Sequence, residues 1–366
     1  MINVAEESQK KPEAILIGEK DGDIFELQGL CETLGINAVR TVILSKREKN
    51  PVYGLGKGKA KEIAALCEEL NVDAVIFDFL IEPRKQRNWE KLVGRAVFDR
   101  QEVIIRIFAS RAQTKEARLQ VQLARLEYSL PRLAHSYGVF SRQRGGAFGS
   151  KGSGETQLEL DERAVREKIA TVKKRLFEVE KTRKTQKKMR KRAGLFSVAL
   201  SGYTNAGKST LLNALTGAGA FSSDSLFATL DPLTRKLKIA PQKFVLLTDT
   251  VGFIQNLPHT LVNAFKSTLD EAAEADAILL VLDASDKNVF SQYETVERVL
   301  AEIGAKDSKK IVILNKIDKI SNEDFIVRGL DARFPEAIKV SAKSGEGLDL
   351  ILKKIECEFF TEDLYA

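Results

Sequence analysis

Apolar residues fall into short runs separated by polar, helix-compatible stretches along most of this chain. In its first part, Ala14–Ile17, Thr41–Leu44, Val72–Phe77 and Val103–Ile107 read as strands, and an amphipathic helix carries Ile63, Leu66, Cys67 and Leu70 on one side. This alternation predicts a small α/β domain over residues 1–110. The period then changes. Leu119, Leu123, Leu126, Leu130 and Leu133 recur at steps of four and three, and Val165, Ile169, Val172, Leu176 and Val179 repeat the pattern. Two such seams predict two long helices packed against each other over residues 111–193. Pro131 is expected to bend or end the first helix, and Thr156-Gln157-Leu158-Glu159 has capping-box spacing at the start of the second. Between them, residues 136–156 hold six glycines with Arg142, Arg144 and Lys151, a loop able to follow phosphates. From Leu195 the apolar runs Phe196–Leu200, Phe244–Leu247, Ala277–Leu282, Ile311–Leu314 and Ala337–Val340 alternate with helical stretches. They predict a mixed, mostly parallel sheet over residues 194–366.

Chemistry enters at the end of the first of these runs. Gly202-Tyr203-Thr204-Asn205-Ala206-Gly207-Lys208-Ser209 follows Phe196–Leu200 and precedes a helix-compatible stretch, the pattern of a phosphate loop. Glycines let the backbone curl so that amides and a helix terminus face phosphates. Lys208 supplies charge at the outer phosphates, and the Ser209 hydroxyl can hold Mg²⁺. Asn315-Lys316-Ile317-Asp318 ends the run Ile311–Leu314, at the carboxyl edge where open α/β sheets bind ligands. A carboxylate at Asp318 can accept both N–H donors of guanine, which adenine lacks, so the expected nucleotide is GTP. Ser341-Ala342-Lys343 can bring backbone amides to the guanine oxygen. Asp249-Thr250-Val251-Gly252 closes another strand, with a carboxylate to hold Mg²⁺ through water and a glycine amide for the terminal phosphate. Phe227-Ala228-Thr229-Leu230-Asp231-Pro232 is a loop whose Thr229 is the candidate hydroxyl ligand to Mg²⁺. Lys208, Thr229 and Gly252 are therefore the catalytic candidates, and Ser209 and Thr229 the metal ligands.

In this order these pieces resemble the translation-factor-related GTPases. Phe227 to Pro232, together with Asp249-Thr250-Val251-Gly252-Phe253, resembles the HflX family. Upstream, Arg144-Gly145-Gly146 and Gly152-Ser153-Gly154-Glu155-Thr156-Gln157-Leu158-Glu159 resemble the glycine-rich segment between that family's amino-terminal domain and its Ras-like G domain. The resemblance implies a GTPase that binds the large ribosomal subunit and its RNA and splits or rescues stalled ribosomes, with the hairpin loop directed to the peptidyl-transferase region. The separate carboxy-terminal extension of longer relatives is expected to be absent. Phe253 stands where Ras-like proteins usually carry a water-orienting glutamine. Slow turnover, raised by an element supplied by the ribosome, is the expectation.

Composition narrows the class further. With 366 residues and 43% hydrophobic content, the chain can bury two or three cores. Its apolar runs are far shorter than the ~20 residues a spanning helix needs, and Met1 to Glu13 has no signal-peptide core. A cytoplasmic monomer without membrane insertion is expected. Cys31, Cys67 and Cys357 are scattered, and with only His135 and His259 a zinc cluster is not expected. The net charge is +7, yet Lys181 to Arg192 alone carries eight basic residues and no acid, so the basicity is concentrated in one band ahead of the G domain. Gly54-Leu55-Gly56-Lys57-Gly58-Lys59 reads as a second nucleotide site, for ATP on the amino-terminal domain, as an RNA phosphate contact or as a helix-leading loop. Two other function classes stay open: a nucleotide-gated ribosome-binding module with negligible hydrolysis, and a membrane-surface GTPase anchored by the basic band.

Overall fold

A computed structural model describes residues 11–20, 23–45, 50–133, 157–192, 194–217, 226–255, 258, 261, 266–320 and 325–360. The glycine-rich loop 136–156, Thr156, His135 and His259 lie outside them, as do most side chains of the basic band. The chain forms two compact units, one of residues 1–110 and 123–171, the other of residues 111–122 and 172–366.

The first unit is built on a parallel sheet of β1 (Glu13–Glu19), β2 (Asn37–Leu44), β3 (Ala74–Phe77) and β4 (Ala96–Asp99), in the order β2-β1-β3-β4. Helices α1 (Ile24–Thr33), α2 (Lys57–Glu69), α3 (Pro83–Val93) and α4 (Arg100–Arg111) accompany it. Ile15, Ile17, Val75, Phe77, Ile63 and Trp89 form a core that excludes water, and the Trp89 indole N–H is satisfied by the Tyr53 carbonyl at 2.9 Å. Val103–Ile107, expected as a strand, lies instead inside α4, and the fourth strand is Ala96–Asp99. A short continuous apolar run does not distinguish a buried strand from a buried helix. The local signals favour the helix: the Asp99 carboxylate accepts from the Glu102 amide at 3.0 Å as a cap, and Glu102 pairs with Arg106 one turn on at 2.7 Å. Just after the strands, the buried Arg100 guanidinium sits between two buried carboxylates, Glu26 and Asp78, the latter at 2.6 Å.

Helix α5 (Lys115–Leu133) and helix α6 (Gln157–Arg192) contain the two apolar seams, whose positions are buried or half-buried between exposed neighbours. Pro131 lies inside α5, in its last described turn, where it has no amide to donate to the Glu127 carbonyl, and the neighbouring Tyr128 carbonyl accepts from the Arg132 guanidinium at 2.9 Å. In the first unit Arg132 also reaches Asp99 at 3.0 Å and stacks on Tyr128.

The second unit carries a six-stranded sheet in the order β10-β9-β8-β5-β7-β6, from β5 (Phe196–Gly202), β6 (Leu233–Ala240), β7 (Lys243–Asp249), β8 (Ala277–Asp283), β9 (Lys310–Asn315) and β10 (Ile338–Lys339). All pairings are parallel except β6 with β7, where Leu233 stands opposite Asp249. Residues Ala277 to Leu282 of β8 are buried throughout, as expected of a central parallel strand covered on both faces. The helices are α7 (Lys208–Thr216), α8 (Lys266–Ala273), α9 (Val289–Glu302), α10 (Phe325–Arg333) and α11 (Leu348–Phe360). Among the described residues, no helix is long and apolar enough to cross a membrane.

Candidate nucleotide site

Three parallel strands deliver the motifs to one edge of the second sheet. Strand β5 runs into Gly202, β7 ends at Asp249 and β9 ends at Asn315, so their following loops share the carboxyl side where ligand crevices form. The turn after β5 has no room for a side chain at its two glycines: a Cβ on Gly202 would overlap the Val281 carbonyl, and one on Gly207 would overlap the Asn315 amide. Gly207 has φ +92° and leads directly into α7, leaving the first amides of that helix free for an anion. Among the described residues, Asn205, Phe227 and Lys316 are three of the five non-glycine residues with positive φ, and all three lie in these loops.

Lys208 is buried, and its ammonium donates to the carbonyls of Gly202 (3.1 Å) and Tyr203 (2.8 Å). Burial pulls its pKa down to about 8, against the opposing pull of Asp249. Asp249 is itself pushed upward, chiefly by burial, and partly held back by Lys208, Ser209 and Thr229. The hydroxyls of Ser209 and Thr229 lie 2.7 Å apart, and both lie near Asp249 Oδ2, at 2.6 and 3.0 Å. Two hydroxyl protons serve this triangle of three hard oxygens, and the other Asp249 oxygen is buried without a hydrogen-bond partner. That donor set suits a small oxygen-seeking cation such as Mg²⁺. It contains only one carboxylate, and no group of three or more acidic, His or Cys side chains fit to hold a metal occurs among the described residues.

The Asp249–Gly252 loop is fastened to the phosphate loop. Thr250 donates to the Leu200 carbonyl at 2.7 Å, and Val251 is buried. A Cβ on Gly252 would come within 2.9 Å of the Lys208 ammonium and the Thr204 backbone. Phe253 pairs through its backbone with Gly202 (3.1 Å) and Thr204 (2.7 Å), while its ring is buried in the core. It therefore packs beneath the loop and presents nothing to a water molecule. The Tyr203 hydroxyl accepts from the Gln255 amide at 2.8 Å, a contact that no motif spacing announces.

On the base side, Asn315 joins three segments: its amide donates to the Ala206 carbonyl (2.8 Å) and its oxygen accepts from the Ala342 amide (3.0 Å). Asp318 is exposed and accepts from the buried Ser341 hydroxyl at 2.6 Å, a bond that holds its pKa below the ordinary carboxylate value. Ile317 donates to the Val340 carbonyl at 3.3 Å, bringing the Asp318 and Ser341-Ala342-Lys343 segments together. Lys316 pairs with Asp283 at 2.6 Å, and Asp283 is not among the residues the sequence singles out.

In the remaining loop, Phe227 and Leu230 are buried apolar anchors on either side of Ala228 and Thr229. Asp231, expected among the nucleotide contacts, has its side chain engaged elsewhere. Its carboxylate accepts from the backbone amides of Gln113 (2.9 Å) and Thr114 (3.2 Å) and from the Thr114 hydroxyl. The charged end of this side chain is thus engaged by the start of α5. Away from this site, Gly54–Lys59 forms a turn held by Asn50, with Leu55 buried and Gly56 leading α2, and no strand directly precedes it.

Three family models match: "GTP-binding GTPase N-terminal" over residues 21–109, "GTP-binding GTPase Middle Region" over 111–190 and "50S ribosome-binding GTPase" over 197–316. A GTPase HflX of Escherichia coli (strain K12) is 40% identical over 333 residues, covering 91% of this chain and 78% of the relative. Another, of Caldanaerobacter subterraneus subsp. tengcongensis, is 42% identical over 360 residues, covering 97% and 82%. A solved structure described as the SsGBP and GDP complex is similar across 96% of this chain and 99% of its own, with 27% identity and a TM-score of 0.54.

Proposed function

This chain belongs to the HflX family of GTPases, and we propose that it hydrolyses GTP at the carboxyl edge of β5, β7 and β9 while bound to the large ribosomal subunit, splitting or rescuing stalled ribosomes. In this reading the amides of Gly202 to Gly207 surround the phosphates, and Lys208 leaves its carbonyl partners for the outer phosphate oxygens. Ser209 and Thr229 hold Mg²⁺ with Asp249 behind them, and the ion when bound neutralises charge on the phosphates. Gly252 offers its amide to the terminal phosphate, because any side chain there would collide with Lys208. Asp318, ionised and oriented by Ser341, takes the two guanine donors, while Asn315 ties the base and phosphate loops into one rigid frame. The three parts, 1–110, 111–193 and 194–366, then serve as amino-terminal domain, hairpin and motor.

One observation carries this proposal: the Ser209, Thr229 and Asp249 oxygens, from three separate motifs, meet within 3.0 Å beside the buried Lys208. Phe253 offers no hydrogen bond to an attacking water, so turnover by the free protein is slow and the partner supplies the missing positioning. Phosphate release measured with and without purified large subunits tests this. The expected rise is on the order of a thousandfold or more. Equal rates would leave a ribosome-binding module and remove the enzyme activation, and normal turnover by Lys208→Ala would remove the site.

A further inference from the structure

We infer that Asp231 is a positioning residue that makes GTP turnover depend on the first turn of helix α5, outside the G-domain fold. The inference rests on the proposed role of Thr229 as the hydroxyl beside the metal and terminal phosphate. Asp231 lies two residues after Thr229, separated from it by the buried Leu230. Its carboxylate takes up two backbone amides and one hydroxyl, from Gln113 and Thr114, across 117 or more positions of chain. The Thr114 hydroxyl in turn accepts from the Ala117 amide at 3.1 Å, so it caps α5 while donating to Asp231. A carboxylate at this helix start also meets the positive end of the helix dipole. The loop bearing Thr229 is therefore held at two points: Ser209 and Asp249 on the nucleotide side, and the start of α5 on the other.

The surroundings make this second attachment a releasable one. Thr114, Glu116, Arg183, Asp231, Thr234 and Glu271 line a cavity of about 480 Å³, and the links across it are polar. Besides the Asp231 contacts, the Arg183 guanidinium bridges Glu116 (3.1 Å) and Glu271 (2.7 Å), joining both hairpin helices to α8. Polar links at a half-exposed wall exchange readily with water, whereas interdigitated apolar side chains do not. When Thr229 moves with nucleotide state, Asp231 moves with it and the capping of α5 changes. Conversely, a partner that holds α5 in place fixes Thr229 in its working position.

The test compares the wild type with Asp231→Ala, Asp231→Asn and Thr114→Val as full chains. GDP affinity is measured by calorimetry, steady-state GTP turnover is separated into kcat and KM, and amide hydrogen exchange is followed in residues 116–120. For Asp231→Ala, kcat is expected to fall tenfold or more with KM and GDP affinity within about twofold of wild type. Asp231→Asn and Thr114→Val should fall between. In the wild type, a non-hydrolysable GTP analogue should protect residues 116–120 more than GDP does, and this difference should vanish in Asp231→Ala. If Asp231→Ala weakens GDP binding as much as it slows turnover, Asp231 is a nucleotide ligand and the inference is wrong. Unchanged kcat and an unchanged exchange pattern in both Asp231→Ala and Thr114→Val would equally overturn it. Failure of the wild type to bind either nucleotide would instead sink the reading of the site itself.

Discussion

At the residue scale, the proposed preference for guanine rests on Asp318 and on the Ser341 hydroxyl that donates to it. That bond orients the carboxylate and favours its ionised form, the acceptor that the proposed pairing with two guanine donors uses. Asp318→Asn keeps the shape but replaces one acceptor with a donor. Its preference for GTP over ATP in competition binding is expected to fall by about tenfold to a hundredfold. The cysteines test residue-level burial by a different route. Burial pushes Cys31 up from an ordinary value of 9.0 to about 12 and Cys67 to about 11, so both stay protonated and shielded from reagents, whereas Cys357 is exposed. Alkylation of the folded chain at pH 8, read by mass spectrometry, should mark Cys357 and spare the other two. The folded chain retains those protons where the unfolded chain would release them. This contribution to stability is complete below about pH 9 and shrinks as pH climbs toward 11 to 12.

At the scale of elements, the first unit adds a buried charge cluster to its apolar packing. Arg100 begins α4 and neutralises Glu26 of α1 and Asp78 just after β3, so one guanidinium holds three elements together. Removing it takes the cation from between two buried carboxylates, and Arg100→Met should cost about 3 to 5 kcal/mol in that unit. Denaturant unfolding followed by Trp89, the only tryptophan of the chain and buried in that unit's core, reads the loss directly. Replacing Arg100, Glu26 and Asp78 together by neutral residues should cost less than Arg100→Met alone. This cluster was not legible from sequence, because its members are separated by 22 and 74 positions and follow no spacing rule. The same limit hid the Asp231 contact and the Tyr203 hydroxyl's hold on Gln255. By contrast, the phosphate loop, the Asp249 strand end and the Asn315 strand end were legible because each packs its chemistry into a few consecutive residues next to an apolar run. The misread α4 lies between these cases: its apolar run was visible, but its period was not, since the helix is buried on most sides.

For the whole molecule, the uneven charge gives the clearest expectation. Lys181 to Arg192 holds eight cations in a chain whose net charge is +7, so contacts with RNA phosphates should be concentrated there. Ribosome affinity should drop by about 0.7 to 0.9 log units per tenfold salt for each phosphate neutralised, and replacing four of these residues by glutamine should flatten that slope by roughly 3. Sedimentation binding at several salt concentrations measures it. In the second unit, Leu233 and Asp249 face each other on a single rung of the antiparallel pair, and Thr229 and Gly252 both lie within four residues of that rung. A shift of that rung would displace the ends of both loops, so the two loops are expected to answer a bound nucleotide together.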